Sequence, residues 1–236
     1  TALTTPAVLL VPYDRRHVPR YHEWMSDPDI QEATASEPLT LEEEYENQES
    51  WRASHDKLTF ILCQPLVADG PEPLASVNTG DFDSSDKMLG DINFFLYPDD
   101  EEDEGEAAIA SQAAGTTSCI GEVDIMIAGQ GDRGKGLGKA AVSALLHYIW
   151  TNLDEILGEY REAMGEGESR PMRLKLLMAK IKATNEGSIA LFRRLGFEQE
   201  GEVNYFGEVK MVLKNFDGIA RAIEGYKVLA YSRPVD

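Results

Sequence analysis

Arg133-Gly134-Lys135-Gly136-Leu137-Gly138-Lys139 is the stretch on which the reading of this 236-residue chain turns. An apolar run, Glu122-Val-Asp-Ile-Met-Ile127, precedes it, and an apolar-periodic segment from Ala140 to Trp150 follows. The order is strand, glycine-rich turn, helix. Backbone N–H groups at a helix start lack partners within the helix, and its dipole favours negative charge there. Glycines let the backbone approach a phosphate closely, because no Cβ intervenes. Arg133, Lys135 and Lys139 add positive charge. The stretch therefore predicts a cradle for a pyrophosphate.

Two common phosphate loops fit less well. A Walker-type loop almost matches Gly129 to Gly136, but the residue after Lys135 must carry a hydroxyl for magnesium, and Gly136 has none. The dinucleotide fingerprint G-x-G-x-x-G matches Gly129, Gly131 and Gly134. It needs a ribose-binding carboxylate at the end of the next strand, about 20 residues on. Asp154 and Glu155 stand at that distance but in helix-like sequence, which argues against this reading.

A third pattern uses more of the chain. Arg133-x-x-Gly136-x-Gly138 resembles the R/Q-x-x-G-x-G/A loop of the GNAT acetyltransferases. Downstream, Asn185-Glu-Gly-Ser188-Ile-Ala-Leu-Phe192-Arg-Arg-Leu-Gly196-Phe197 resembles that family's second signature, N-x-x-S/A-x-x-L-Y/F-x-x-L-G-F. The same segment also reads as an amphipathic helix ended by a glycine C-cap. Val11-Pro-Tyr-Asp14 with the run to Met25, Gly121 to Asp124, and Asn204 to Met211 resemble the N-acetyltransferase-9-like branch, close to the ribosomal-protein alanine acetyltransferases. The resemblance implies an α/β GNAT fold, a mixed and splayed central sheet flanked by helices. It also implies acetyl-coenzyme A as cosubstrate and transfer of its acetyl group to a primary amine.

The rest of the chain agrees with one enzyme domain, expected over residues 1–216 with a C-terminal extension at 217–236. Strands are expected from Val8, Leu58, Ala75, Asp91, Ser118 and Arg173, with a hairpin of Gln199 to Tyr205 and Glu208 to Leu213. Helices are expected at Arg16 to Met25, at Leu41 to Ser54 behind a Thr40/Glu43 capping box, at Lys139 to about Leu157, and at Gly187 to Leu195. The acidic block Asp99 to Glu106 and the small residues after it read as a flexible surface insertion over 98–117. Within the tail, Gly218 to Ala230 has helical spacing. A net charge of −20 speaks against a nucleic-acid partner and suits a cationic substrate. Cys63, Cys119 and four histidines show no metal-ligand spacing, so no metal is expected. No apolar run is long enough for a membrane span and Thr1 to Pro6 shows no secretory pattern, so no membrane partner is expected; two cysteines form no disulfide framework, and buried free thiols fit the cytosol or nucleus.

Amine acetylation needs a base, donors for the oxyanion and an exit for the thiolate. Glu122 and Asp124 alternate onto one strand face, where two carboxylates raise one pKa; Glu122 is the first candidate base and Asp124 the second. By resemblance, Ile125, Met126 and Ile127 offer backbone groups to the pantetheine arm, and Asn185, Ser188 and Phe192 line the cofactor side. Some relatives place a carboxylate base where this chain has Lys180. Many have a tyrosine acid where it has Phe192, so Tyr205 is the candidate substitute. The missing acid leaves a second reading open, a protein that binds acetyl-coenzyme A without efficient transfer. Trp24, Met25, Asp27, Glu32 and Tyr205 are the expected acceptor-side residues. A protein or peptide N-terminus is favoured, since an α-amine at about 7.7–8.0 needs less help than a lysine at about 10.4. Small amines such as polyamines remain the alternative.

Overall fold

Ten strands form one twisted sheet among the described residues, in the order β4-β10-β1-β2-β3-β5-β6-β7-β9-β8. A computed structural model describes residues 1–66, 74–99, 117–165, 171–216, 218–219 and 222–233. Most of the proposed acidic insertion, at 100–116, lies outside these residues. Along the chain the elements are β1 (Ala2–Thr4), β2 (Leu9–Pro12), α1 (Val18–Met25), α2 (Pro28–Thr34), α3 (Leu41–Ala53), β3 (Lys57–Cys63) and β4 (Ser76–Asn78). There follow β5 (Met88–Pro98), β6 (Thr117–Ile127), α4 (Leu137–Thr151), α5 (Leu153–Ala163), β7 (Met172–Lys182), α6 (Glu186–Arg194), β8 (Glu198–Glu200), β9 (Glu208–Leu213) and β10 (Lys227–Ser232).

The decisive geometry lies between β6 and β7. They pair in parallel from Thr117↔Met172 to Glu122↔Met178, and no farther. Beyond that point β6 stays with β5 as far as Ile127↔Gly90, while β7 stays with β9 as far as Lys182↔Glu208. The sheet therefore splays after Glu122 and leaves a wedge open toward Ile127. On one face Phe94, Val123, Leu145 and Phe192 share a core with α4, α5 and α6. The other face holds Trp24, Met25, Ile61 and Met126 beneath α1.

Local chemistry sets the ends of the helices. Thr40 caps α3 by accepting from Glu43 N, and Glu43 returns a bond to Thr40 N at 2.8 Å, the capping box expected there. Between Met25 and Leu41, where the sequence assigns no element, the chain forms the short helix α2. Asp27 caps α2, Pro28 occupies its first turn, and Ala35 ends it in the left-handed region at φ 51°. The helix expected to run from Lys139 to about Leu157 is two, broken at Asn152, whose Nδ2 donates to Tyr148 O at 2.7 Å. An asparagine that bonds the local backbone in this way competes with helix continuation.

The largest departure is the tail. The helical spacing of Gly218 to Ala230 predicts a helix, but β10 is a strand wedged between β1, antiparallel, and β4, parallel. Apolar residues at a three-to-four spacing end at Tyr226, which packs edge-on against His147, and Leu229 and Tyr231 then alternate inward. Segment 217–236 thus supplies a strand to the interior of the sheet. The expected first hairpin strand, Gln199 to Tyr205, is also shorter: β8 stops at Glu200, and a loop carries the chain to β9.

Candidate active site

The glycine loop takes the conformation its composition demands. Gly134 and Gly136 have φ of +75° and +85°, and no atom lies within 4 Å of where either Cβ would sit. Gly136 is the N-cap of α4, so the first N–H groups of that helix face the loop. Arg133 bonds the end of β6, Nε to Ile127 O at 3.0 Å and a terminal nitrogen to Ala128 O at 3.4 Å. Lys135 pairs with Asp132 at 2.9 Å. Lys139 is exposed and forms no ion pair among the described residues, so its charge is available to an anion. A cleft of about 520 Å³ runs from this cradle into the wedge, past Ile125, Met126, Ile127, Arg133, Gly134, Gly136, Gly138 and Lys139 on one side and Asn185, Ser188 and Leu191 on the other. Leu137 packs against the core below it. An open loop of this sign, continued by an apolar groove, fits a pyrophosphate with an extended arm.

Asn185 begins α6, where its Oδ1 accepts from Ser188 N at 3.1 Å and so caps the helix. Phe192 is buried and stacks edge-on against Phe197 at 5.0 Å.

A second cavity of about 300 Å³ adjoins the first, sharing Ala33, Thr34, Ile125, Met126, Asn185 and Ser188 with it. Here the sheet face becomes acidic. In an antiparallel pair, directly opposed residues point to the same side, so Asp91, Asn93 and Phe95 of β5 share a face with Met126, Asp124 and Glu122 of β6. Glu122 is buried and accepts from Lys180 Nζ at 2.9 Å; that lysine, 45% exposed, also stands over the Tyr97 ring. Asp124 opens onto the cavity. Burial pushes its carboxyl up to about 7, the negative charges of Glu122, Asp91 and Glu208 add to the rise, and Lys180 opposes it. Asp91 is deeply buried, which raises it to about 6 against hydrogen bonds from Asn93, its own backbone and Tyr21.

The residues expected on the acceptor side do not come together at this cavity. Trp24 and Met25 are buried against the core, because α1 turns that face toward β2 and β3. Asp27 is spent capping α2 and Glu32 lies exposed on that helix; none of these four lines the cavity. The wall is made instead by Ala33 to Ser36, where α2 ends, with Tyr21 and Trp51. Tyr205 is 97% exposed on the loop before β9 and meets Phe206 edge-to-face, outside the cavity wall. Asp91 and Asn93 escaped the sequence reading, although polar residues at alternate positions of an apolar strand were a legible signal.

Comparisons with known proteins agree with this geometry. The family model described as "Acetyltransferase (GNAT) domain" matches residues 7–198. A protein of Schizosaccharomyces pombe named N-acetyltransferase 9-like is 36% identical over 216 residues, covering 87% of this chain and 92% of its own. The human alpha/beta-tubulin-N-acetyltransferase 9 is 38% identical over 214 residues, covering 90% and 83%. In three dimensions the chain is similar to spermidine N-acetyltransferase from Vibrio cholerae, solved with coenzyme A and spermine, at a TM-score of 0.55 and 13% identity, covering 88% of this chain and 94% of that one.

Proposed function

The chain belongs to the GNAT acetyltransferase family and is an acetyl-coenzyme-A-dependent N-acetyltransferase, and we propose that its acceptor is the α-amine at a protein N-terminus. One observation carries the choice of amine. Asp124, held near 7, is matched to an α-amine at about 7.7–8.0, whereas a lysine at about 10.4 would leave proton transfer strongly uphill. The names of the human, mouse and fly relatives, which specify α/β-tubulin, support a protein acceptor and make tubulin the first protein to test.

The cofactor groove would hold acetyl-coenzyme A with its pyrophosphate on Arg133 to Lys139 and the N-terminus of α4. Its arm would lie along the unpaired edge of Ile125 to Ile127, where a backbone N–H would also meet the oxyanion. Asn185 and Ser188, which line the opposite side of the cleft, would face the arm. Between the two carboxylates we favour Asp124 as base, because Glu122 is engaged by Lys180. Asp124 takes a proton from the ammonium, the amine nitrogen bonds the acetyl carbon, and the carbon–sulfur bond breaks. The ammonium sheds two protons overall: one ends on the coenzyme A thiol and the other in solvent. A thiol is far more acidic than an alcohol, so its thiolate can leave without a general acid, and Phe192 is compatible with turnover.

Free-thiol release tests the reading. Peptides with free N-termini should release coenzyme A, while N-blocked lysine peptides and small amines should not. Asp124→Asn should lower kcat about 100-fold or more with the KM for acetyl-coenzyme A unchanged. Release confined to lysine peptides or polyamines would transfer the assignment to those acceptors.

A further inference from the structure

Asp91 and Asn93 are buried polar residues on the floor of the acidic cavity, and the chemistry above assigns them nothing. Asn93 is the direct cross-strand partner of Asp124, which sets their Cβ atoms about 5 Å apart on one face. Asn93 Nδ2 donates to Asp91 Oδ2 at 2.7 Å. Tyr21, reaching down from α1, brings its hydroxyl to the same carboxylate and helps to hold it ionised. A carboxamide whose nitrogen is held has its orientation fixed, and its oxygen is turned away from Asp91. Among the described residues that oxygen accepts no hydrogen bond, although Asn93 forms part of the cavity wall.

We infer that Asn93 Oδ1 accepts a hydrogen bond from the acceptor amine, and that Asp91 is a positioning residue that aims it. The inference rests on the amine-acetylating reading of the same cleft. Once Asp124 has taken a proton, the amine carries a lone pair and N–H bonds that can rotate freely. Holding one N–H on Asn93 while another faces Asp124 turns the lone pair toward the acetyl carbon, the near-attack geometry that speeds such reactions. An amide suits this position because its oxygen accepts a hydrogen bond but does not take up the proton. A carboxylate there would stabilise the unreactive ammonium. Asp91, as an ionised acceptor to Asn93 Nδ2, excludes the flipped carboxamide, which would present N–H donors to the amine.

The experiment is a double-mutant cycle on steady-state constants, run with whichever amine the wild-type enzyme acetylates. Asn93→Ala should raise the acceptor KM about tenfold, lower kcat, and leave the KM for acetyl-coenzyme A unchanged. Asp91→Asn should reproduce most of that loss, since a carboxamide at position 91 can hold Asn93 in either orientation. Asp91 also raises Asp124 through its charge, so the cycle is read on the acceptor KM at a pH on the plateau, where that shift no longer shows; there the double variant should be no worse than Asn93→Ala alone, because Asp91 aims the amine through Asn93. Additive losses, or an equal loss of acetyl-coenzyme A binding, would make the pair merely structural and overturn the inference, as would an unchanged acceptor KM in Asn93→Ala. Wild-type turnover with lysine peptides or polyamines only would sink the N-terminal assignment and leave the Asn93 test to proceed on that amine.

Discussion

Lys180 stands where some relatives carry a carboxylate, and its effect here is electrostatic. It neutralises Glu122 and lowers Asp124, opposing burial and the surrounding carboxylates. A base must be ionised to act, so acetylation should rise with pH through the Asp124 value of about 7. Lys180→Met removes the cation that opposes burial at Asp124 and leaves Glu122 uncompensated; both changes push Asp124 upward. The acid limb of the kcat/KM profile should move to higher pH, with the plateau reached later. A limb that stays in place or moves down would show that Asp124 does not set it. Cys63 and Cys119 play no comparable part: burial raises both thiols, that of Cys119 to about 12, and neither lines the clefts.

At the scale of elements, the turn between β6 and α4 is the most constrained. Gly136 combines the left-handed region with the N-cap of α4, and open space surrounds its absent Cβ. Gly136→Ala therefore meets no clash, and its cost is conformational, about 1 kcal/mol or somewhat more. The KM for acetyl-coenzyme A should rise several-fold while the acceptor KM holds, a split that initial-rate kinetics in both substrates will read. This turn was legible from sequence because glycine spacing, a basic residue and a following apolar period all point one way. The α3 capping box was legible for the same reason. The wall of the second cavity was not. Its residues come from Tyr21, the end of α2 and Trp51, brought together only by packing across the sheet. The strand β10 was hidden because helical spacing up to Tyr226 outweighed the two alternating residues that follow. Glu122 and Asp124 were recognised as sharing a face, but their order as bases depends on a lysine 58 residues away in sequence.

Across the whole molecule, the tail closes one half of the sheet. Tyr231 of β10 donates to Asp83 at 2.6 Å, and the buried Asp83 also takes His17 Nε2 at 2.9 Å and Gly80 N at 2.6 Å. These bonds hold Asp83 at about 2 despite burial. Truncation after residue 216 would expose the edges of β1 and β4 and strip the Asp83 carboxylate of one of its donors. The shortened chain should lose several degrees of Tm or fail to fold, judged by thermal unfolding; an unchanged Tm would show the strand to be dispensable. At the other end of the sheet, the parting of β6 from β7 has a different consequence. Backbone amides along that edge are obligatory hydrogen-bonding groups, and with no neighbouring strand they must bond water. An amide-bearing arm bound there, as proposed for the cosubstrate, would take those hydrogen bonds in place of water, and the apolar surface it buried would give its binding a negative heat-capacity change, readable by calorimetry at several temperatures. The sheet thus keeps one row of its own hydrogen-bonding groups for a partner that is not a strand.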